Sequence, residues 1–179
     1  MGSGAGGDAV LKAISLWQPW ASLIAIGAKP YETRSWAPPK SLIGQRIAIH
    51  AAKKPWVEVC DTLDERTFAA MRATLIRSPA GLRLGCLPLG AIVCTAVLSG
   101  AYQVIQAPAD SVIREPHRQW RNELGSTFRP AEDLFGDYSP GRWVWALQDV
   151  VRLDVPIPCR GRQGWFDVDL EAEQIPFYP

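Results

Sequence analysis

Apolar positions along this chain fall mostly into short alternating or continuous runs, and that pattern predicts strands more than helices. Lys12–Leu16 reads as a first strand. Gln18–Gly27 then places Trp20, Leu23, Ile24 and Gly27 at helical spacing. Pro19 suits the first turn of that short helix and Gly27 its stop. Tyr31–Trp36 alternates as a strand and ends at Ala37-Pro38-Pro39-Lys40. Arg46–Ala51 is another strand, and Leu89–Ser99, β-branched and apolar, a central one. Between them runs the longest helical pattern, Pro55–Arg77, with Cys60, Asp64, Phe68, Met71 and Leu75 down one side. Thr62 and Glu65 stand at capping-box spacing, which predicts two helices broken there. Pro79–Pro88 is a Gly/Pro loop. Arg142–Gln148 alternates cleanly, Val150–Pro158 continues toward a last strand or bend, and Arg162–Phe166 reads as a turn.

These elements sort into one domain, as the length of 179 residues also suggests. Residues 1–10 form a flexible leader, 11–168 the folded unit and 169–179 an acidic tail. Residues 106–141, rich in Pro, Arg and Gly, read as an irregular insertion with one helical turn near Pro116–Glu123. Strands joined by irregular connections, without regular βαβ alternation, favour a small mixed barrel over a doubly wound sheet.

Composition narrows the classes. Hydrophobic residues make up 47% and charged residues 21%, the balance of an ordinary globule. No apolar run nears the roughly 20 residues that cross a bilayer, and the N-terminus lacks signal-peptide character, so a cytoplasmic protein with no membrane partner is expected. Cys60, Cys86, Cys94 and Cys159 show no CxxC spacing and do not pair with His50 or His117, so no metal and no cofactor is expected. Cys94 lies in an apolar strand and reads as core.

Charge and aromatic content then point toward a polyanion. The net charge is only +1, but residues 1–60 carry seven Lys/Arg against three acids. A polyanion would meet that third, or selected arginines, rather than the whole surface. Eight tryptophans (17, 20, 36, 56, 120, 143, 145 and 165) exceed what a core of this size normally needs.

The most informative stretch is Gly27-Ala-Lys-Pro-Tyr-Glu-Thr-Arg-Ser-Trp36. Strand geometry puts Glu32, Arg34 and Trp36 on one face, with Lys29 at the turn before and Thr33 on the other side. As a solvated patch this is an ion pair under an indole. As a nucleotide site, an aromatic face stacks a base, a carboxylate accepts from an exocyclic amino group, and Lys and Arg hold phosphate. His50 shares a strand face with Arg46 and Ala48, opposite Ile47 and Ile49, and should face cleft or solvent. It is a candidate general acid or base. Lys53 and Lys54 offer a phosphate patch, Arg160 and Arg162 flank Gly161 in a turn, and Arg142 and Tyr138 are rim candidates. Trp143 and Trp145 share a face with Leu147 and read as core.

Leu16-Trp-Gln-Pro-Trp-Ala-Ser-Leu-Ile24, Gly27-x-Lys29-x-x-Glu32-x-Arg34-x-Trp36 and Ile47-Ala-Ile-His-Ala-Ala-Lys53 together resemble the ASCH family, named for the activating signal cointegrator homology domain. Phe135–Trp145 and Pro158–Trp165 resemble its longer bacterial and phage members. The resemblance implies a mixed α/β, mainly β fold: a PUA-like pseudo-barrel of five or six strands with a short helix lining a cleft. It implies a nucleic-acid or nucleotide ligand there, RNA favoured over DNA, met by Lys29, Glu32, Arg34 and Trp36 with Gln18 or Trp20 from the helix. Lys53, Arg142 and Arg162 complete the expected binding set. Some family members resemble amidohydrolases of acylated cytidine that use a Lys, Thr and Glu. Lys29 matches the lysine, Glu32 stands at the threonine position, and Glu115, Glu123 and Glu132 are candidates for the acid by region only. Other members resemble ribonucleases. Three readings result: a reader of single-stranded or modified bases; a hydrolase of RNA or a modified nucleoside, with Lys29, Glu32 and His50 as catalytic candidates; and a protein-interaction module. A nucleophile and a base within hydrogen-bond reach would separate the second from the first.

Overall fold

In a computed structural model, which describes residues 9–104, 113–114 and 134–170, the chain forms a single mixed sheet with three helices among the described residues. The strands are β1 (Ala9–Leu16), β2 (Tyr31–Arg34), β3 (Arg46–Ala51), β4 (Ala91–Val104), β5 (Ile113–Arg114), β6 (Trp143–Pro158) and β7 (Trp165–Leu170). The helices are α1 (Trp20–Ala25), α2 (Trp56–Cys60) and α3 (Glu65–Arg77). Strand order is β2-β6-β4-β3-β1-β7, with the two-residue β5 on β4. The fold class is mainly β, as expected, but the ladder is open: β2 and β7 are its two ends.

Side chains bridge the two ends where the ladder does not. Trp36, just past β2, meets Trp145 of β6 edge-on at 4.9 Å and Trp165 of β7 at 6.4 Å. Trp165 in turn stacks on Trp145 at 5.4 Å and 10°. Trp145 is fully buried, so three of the surplus tryptophans join opposite ends of the sheet around one core. Arg34 adds a polar bridge, donating from Nη2 to the Ser15 carbonyl of β1 at 2.9 Å.

The two faces of the sheet carry separate cores. Ile14, Leu16, Ile47, Ile49, Ala51, Cys94, Leu98 and Trp145 pack on the face covered by α1. Leu11, Ala13, Ala48, Ile92, Leu153, Phe166, Val168 and Leu170 pack on the other. Period-two alternation produces this split, since neighbouring residues of β1 and β3 go to opposite faces.

Three local expectations change. The segment read as a turn into an acidic tail is strand β7, antiparallel to β1. Its Phe166, Val168 and Leu170 point inward while Asp167 and Asp169 are exposed, and Asp167 pairs with Lys12 at 2.7 Å. The helical pattern does break near residue 62, but the cap of α3 is Asp64, whose carboxylate accepts from the Thr67 backbone N–H at 2.9 Å and the Thr67 hydroxyl at 2.6 Å. Thr62 instead donates to the Val59 carbonyl, closing α2. Tyr138 is not a rim residue: it is buried with Val104 and Val144, Tyr31 packing against them. The helical turn expected near 116–123, and Glu115, Glu123, Glu132 and His117, lie outside the described residues.

Candidate nucleic-acid interface

Two adjoining cavities share a wall made by Ser15, Trp17, Arg34 and Trp36. The first, of about 550 Å³, is lined by Lys29, Glu32, Thr33, Trp20, Asp64 and Asp137 among others. The second, of about 1070 Å³, is lined by His50, Lys53, Cys159, Arg160, Gly161 and Arg162.

Chain reversal after α1 builds the first cavity. Gly27 takes φ +72°, a conformation that suits glycine, and its N–H closes on the Ile24 carbonyl at 2.8 Å. The chain thereby enters β2 with Lys29 directed inward, only 1% exposed. The Lys29 ammonium donates to the Tyr31 carbonyl and stands 3.6 Å from Glu32 Oε2. Glu32 Oε1 forms an ion pair with Arg34, 2.9 Å from its Nε, so ammonium, carboxylate and guanidinium form one chain across the cavity floor. Lys29, expected from sequence to hold phosphate, is buried with its ammonium beside the Tyr31 carbonyl and the Glu32 carboxylate.

Thr33 was expected on the opposite side of β2, yet it borders the same cavity. Among the described residues β2 is an end strand paired to β6, and the 134–137 segment borders the cavity beside it. The Asp137 N–H donates to Thr33 Oγ1 at 3.0 Å. Arg142 reaches this cavity, with its guanidinium turned to Asp137 (3.3 Å) and to the Thr33 carbonyl (3.4 Å). The Ser139 hydroxyl holds the Asp137 carboxyl below the usual carboxylate range, helped by Arg142.

Gln18, expected in the cleft, lines neither cavity. Its Oε1 accepts the Ser22 N–H at 3.1 Å, serving an otherwise unpaired helix-start donor, and its Nε2 donates to the Pro88 carbonyl at 2.9 Å. Trp20 does border the first cavity. Trp17, which the sequence pattern did not single out, stands on the shared wall, half exposed, with the Lys54 ammonium 4.2 Å from its ring centre.

The second cavity is basic. Lys53, Arg160, Arg162 and Arg34 border it, and no carboxylate does among the described residues. Gly90, at φ +64°, lies under the Lys53 stem so closely that a Cβ there would sit 2.7 Å from Lys53 Cε. His50 faces this side rather than the α1-covered core, but it is 1% exposed, sealed by Phe166 (5.8 Å, edge-on) and by Gly161. Its Nδ1 lies 3.0 Å from Ser15 Oγ and its Nε2 3.3 Å from the Cys159 carbonyl. Burial lowers the His50 pKa below 6.5; the Cys159 hydrogen bond opposes that shift and the Lys53 charge adds to it.

A family model for the ASCH domain matches residues 14–121 of this chain. The chain belongs to the ASCH domain family. The match takes in the end of β1, the elements from α1 to β4, and Lys29, Glu32, Arg34, His50 and Lys53. Among solved structures, the crystal structure of ASCH from Zymomonas mobilis is similar at 15% identity, over 92% of this chain and 90% of that chain, with a TM-score of 0.43. A tyrosine-to-phenylalanine mutant of that protein is similar at 16% identity, over 91% and 93%, with a TM-score of 0.44. No curated protein matches. No helix among the described residues is long and apolar enough to cross a membrane.

Proposed function

We propose that this ASCH domain binds single-stranded RNA, placing one base in the first cavity and the adjoining phosphates in the second. The observation that carries the reading is the division of charge across the wall. Carboxylates and cations alternate in one cavity, while cations alone border the other. A nucleotide has that same asymmetry, a neutral base with donors and acceptors joined to an anionic backbone.

Trp36 and Trp20 offer the first cavity aromatic surface for stacking, worth about 1–3 kcal/mol per base. Glu32 keeps acceptor capacity beyond Arg34 and Lys29, because an ionised carboxylate has about four lone-pair sites. It would accept from an exocyclic amino group. Arg34, Lys53 and Arg162 would hold phosphate, Arg34 from the wall itself. The base must be unstacked to enter such a cavity, which selects single strands or flipped nucleotides over a duplex. A protein-interaction role has less support: of the exposed large apolar side chains among the described residues, Val10, Val57, Ile76 and Val155 lie on four different elements, Leu89 in the loop before β4, and Trp17 on the cavity wall.

The test is a panel of single-stranded RNA, single-stranded DNA and modified cytidine nucleosides, with binding and product both followed by mass spectrometry. RNA bound more tightly than DNA, and weakened in Arg34→Ala, supports the reading. Equal, weak binding of every member, unchanged in that variant, defeats it.

A further inference from the structure

The basic cavity contains a second chemical element that phosphate binding leaves unused. β1 and β3 run parallel, and their register sets Ser15 directly beside His50. Both side chains lie on the face opposite α1, at the end of the strands where the second core gives way to the cavity. Their contact, Ser15 Oγ to His50 Nδ1, is 3.0 Å.

The imidazole has the surroundings of a base rather than of a surface histidine. Its Nε2 faces the Cys159 carbonyl at 3.3 Å, which an N–H on that nitrogen satisfies, leaving the Nδ1 lone pair toward Ser15. Burial and Lys53 keep the ring neutral at pH 7. A neutral ring, fixed in one tautomer by a third group, is what a general base requires. The ring is 1% exposed, yet it borders the second cavity beside Ser15 Oγ. Ser15 borders both cavities. The hydroxyl donates to the Arg162 carbonyl at 3.1 Å and must turn from it to Nδ1 to give up its proton, and Arg34 and Arg162 line the cavity beside it.

We infer that Ser15 and His50 are a nucleophile and its general base, and that this cleft cleaves an acyl ester carried by a phosphate-bearing alcohol. The alcohol half is the nucleotide of the preceding reading, on which this inference rests. Its phosphate sits on Lys53, Arg160 and Arg162, and its ester carbonyl lies at the shared wall. The Ser15 hydroxyl proton passes to His50 Nδ1 as Oγ bonds to the carbonyl carbon. The negative charge that develops on the carbonyl oxygen faces the guanidinium group of Arg34 on the shared wall. The carbon–alcohol bond then breaks, and the leaving alcohol takes the proton from Nδ1. Water repeats the sequence on the acyl-serine, releasing the carboxylic acid and restoring the hydroxyl.

Gly161 gives the pair a selective probe. A Cβ there would fall 2.3 Å from His50 Cε1, 2.7 Å from Nδ1 and 3.0 Å from Ser15 Oγ, so an alanine must push the pair apart. The experiment treats the purified wild-type protein with an alkyl fluorophosphonate, which an activated serine displaces at phosphorus with loss of fluoride, and maps the adduct by peptide mass spectrometry. The expected result is one adduct on Ser15, slowed by a saturating RNA oligonucleotide. Labelling should slow roughly 100-fold or more in His50→Gln, the usual scale of a general base. Gly161→Ala should slow it in the same direction and stands in where His50→Gln does not fold. No adduct on Ser15 in the wild type, or equal rates in a folded variant, overturns the inference. RNA binding without labelling would overturn the nucleophile and leave the binding reading intact. Labelling without RNA binding would overturn the binding reading, and with it the nucleotide as the alcohol half.

Discussion

Replacing Glu32 with glutamine tests the chain of charges on the cavity floor. The substitution keeps shape and removes one negative charge from between Lys29 (3.6 Å) and Arg34 (2.9 Å). At an effective dielectric near 20, each contact corresponds to roughly 5 kcal/mol of gross attraction, most of it offset by desolvation. Arg34 is a quarter exposed, so solvent compensates much of its loss. Lys29 at 1% keeps its bond to the Tyr31 carbonyl but gains little water, and its ammonium would face a neutral amide where a carboxylate stood. Breaking a buried pair from one side costs about 3–5 kcal/mol, and the partial solvation here places the expectation near 3. For a domain of this size that lowers Tm by roughly 6–12 °C. Urea unfolding of Glu32→Gln and of the double variant Lys29→Met with Glu32→Gln reads the effect. The double variant should recover more than half of the loss, because it removes the buried ammonium together with the carboxylate. A single-variant change below about 0.5 kcal/mol, or a double variant no better than the single, refutes the reasoning.

Other expectations follow from neighbouring contacts. Because the folded state lowers the His50 pKa, protonation opposes folding. The His50 contribution is therefore complete above about pH 6.5 and is lost as pH falls from there toward the lowered value. His50→Gln should flatten urea midpoints across that window, while losses tied to Asp64 and Asp137 begin only near their ordinary 3.8 and below. Trp165→Ala removes the indole stacked on Trp145 and should cost about 3–5 kcal/mol by denaturant titration, the scale of a large aromatic truncation. Gly90→Ala puts a left-handed φ and a Cβ against the Lys53 stem, so about 1–2 kcal/mol of stability and part of the RNA affinity should go together. Unchanged RNA affinity in that variant would show that Lys53 carries no phosphate.

How much of this was legible in the sequence depends on the range of each contact. The α1 segment, its Gly27 stop and the alternation that puts Glu32 beside Arg34 are local, and periodicity was enough to place them. β7 was missed because a glycine turn and a cluster of acids obscured a six-residue alternation, whose meaning comes from pairing with β1 at the far end of the chain. Gln18 misled for the opposite reason: a polar residue on a cleft helix looks available, yet both ends of its amide serve backbone groups, one of them 70 residues away. Lys29 sits where expected, but burial changes what it does, and burial is a tertiary property. Ser15 gave no signal at all. It becomes a candidate only once β1 and β3 pair in parallel and bring it to His50. Trp17 carried a signal that was not used, an indole at the end of a strand with basic residues nearby in the family-like segment.

The most direct test of the central claim is the salt dependence of binding to a fluorescent single-stranded RNA, for the wild type and for a variant combining Arg34→Ala, Lys53→Ala and Arg162→Ala. Three phosphate contacts on a single strand predict that log K falls against log salt with a slope near −2. The triple variant should lose most of that slope while its tryptophan fluorescence still responds to RNA. A wild type that does not bind RNA, or a variant with the wild-type slope, would contradict the assignment of base and phosphate to these two cavities.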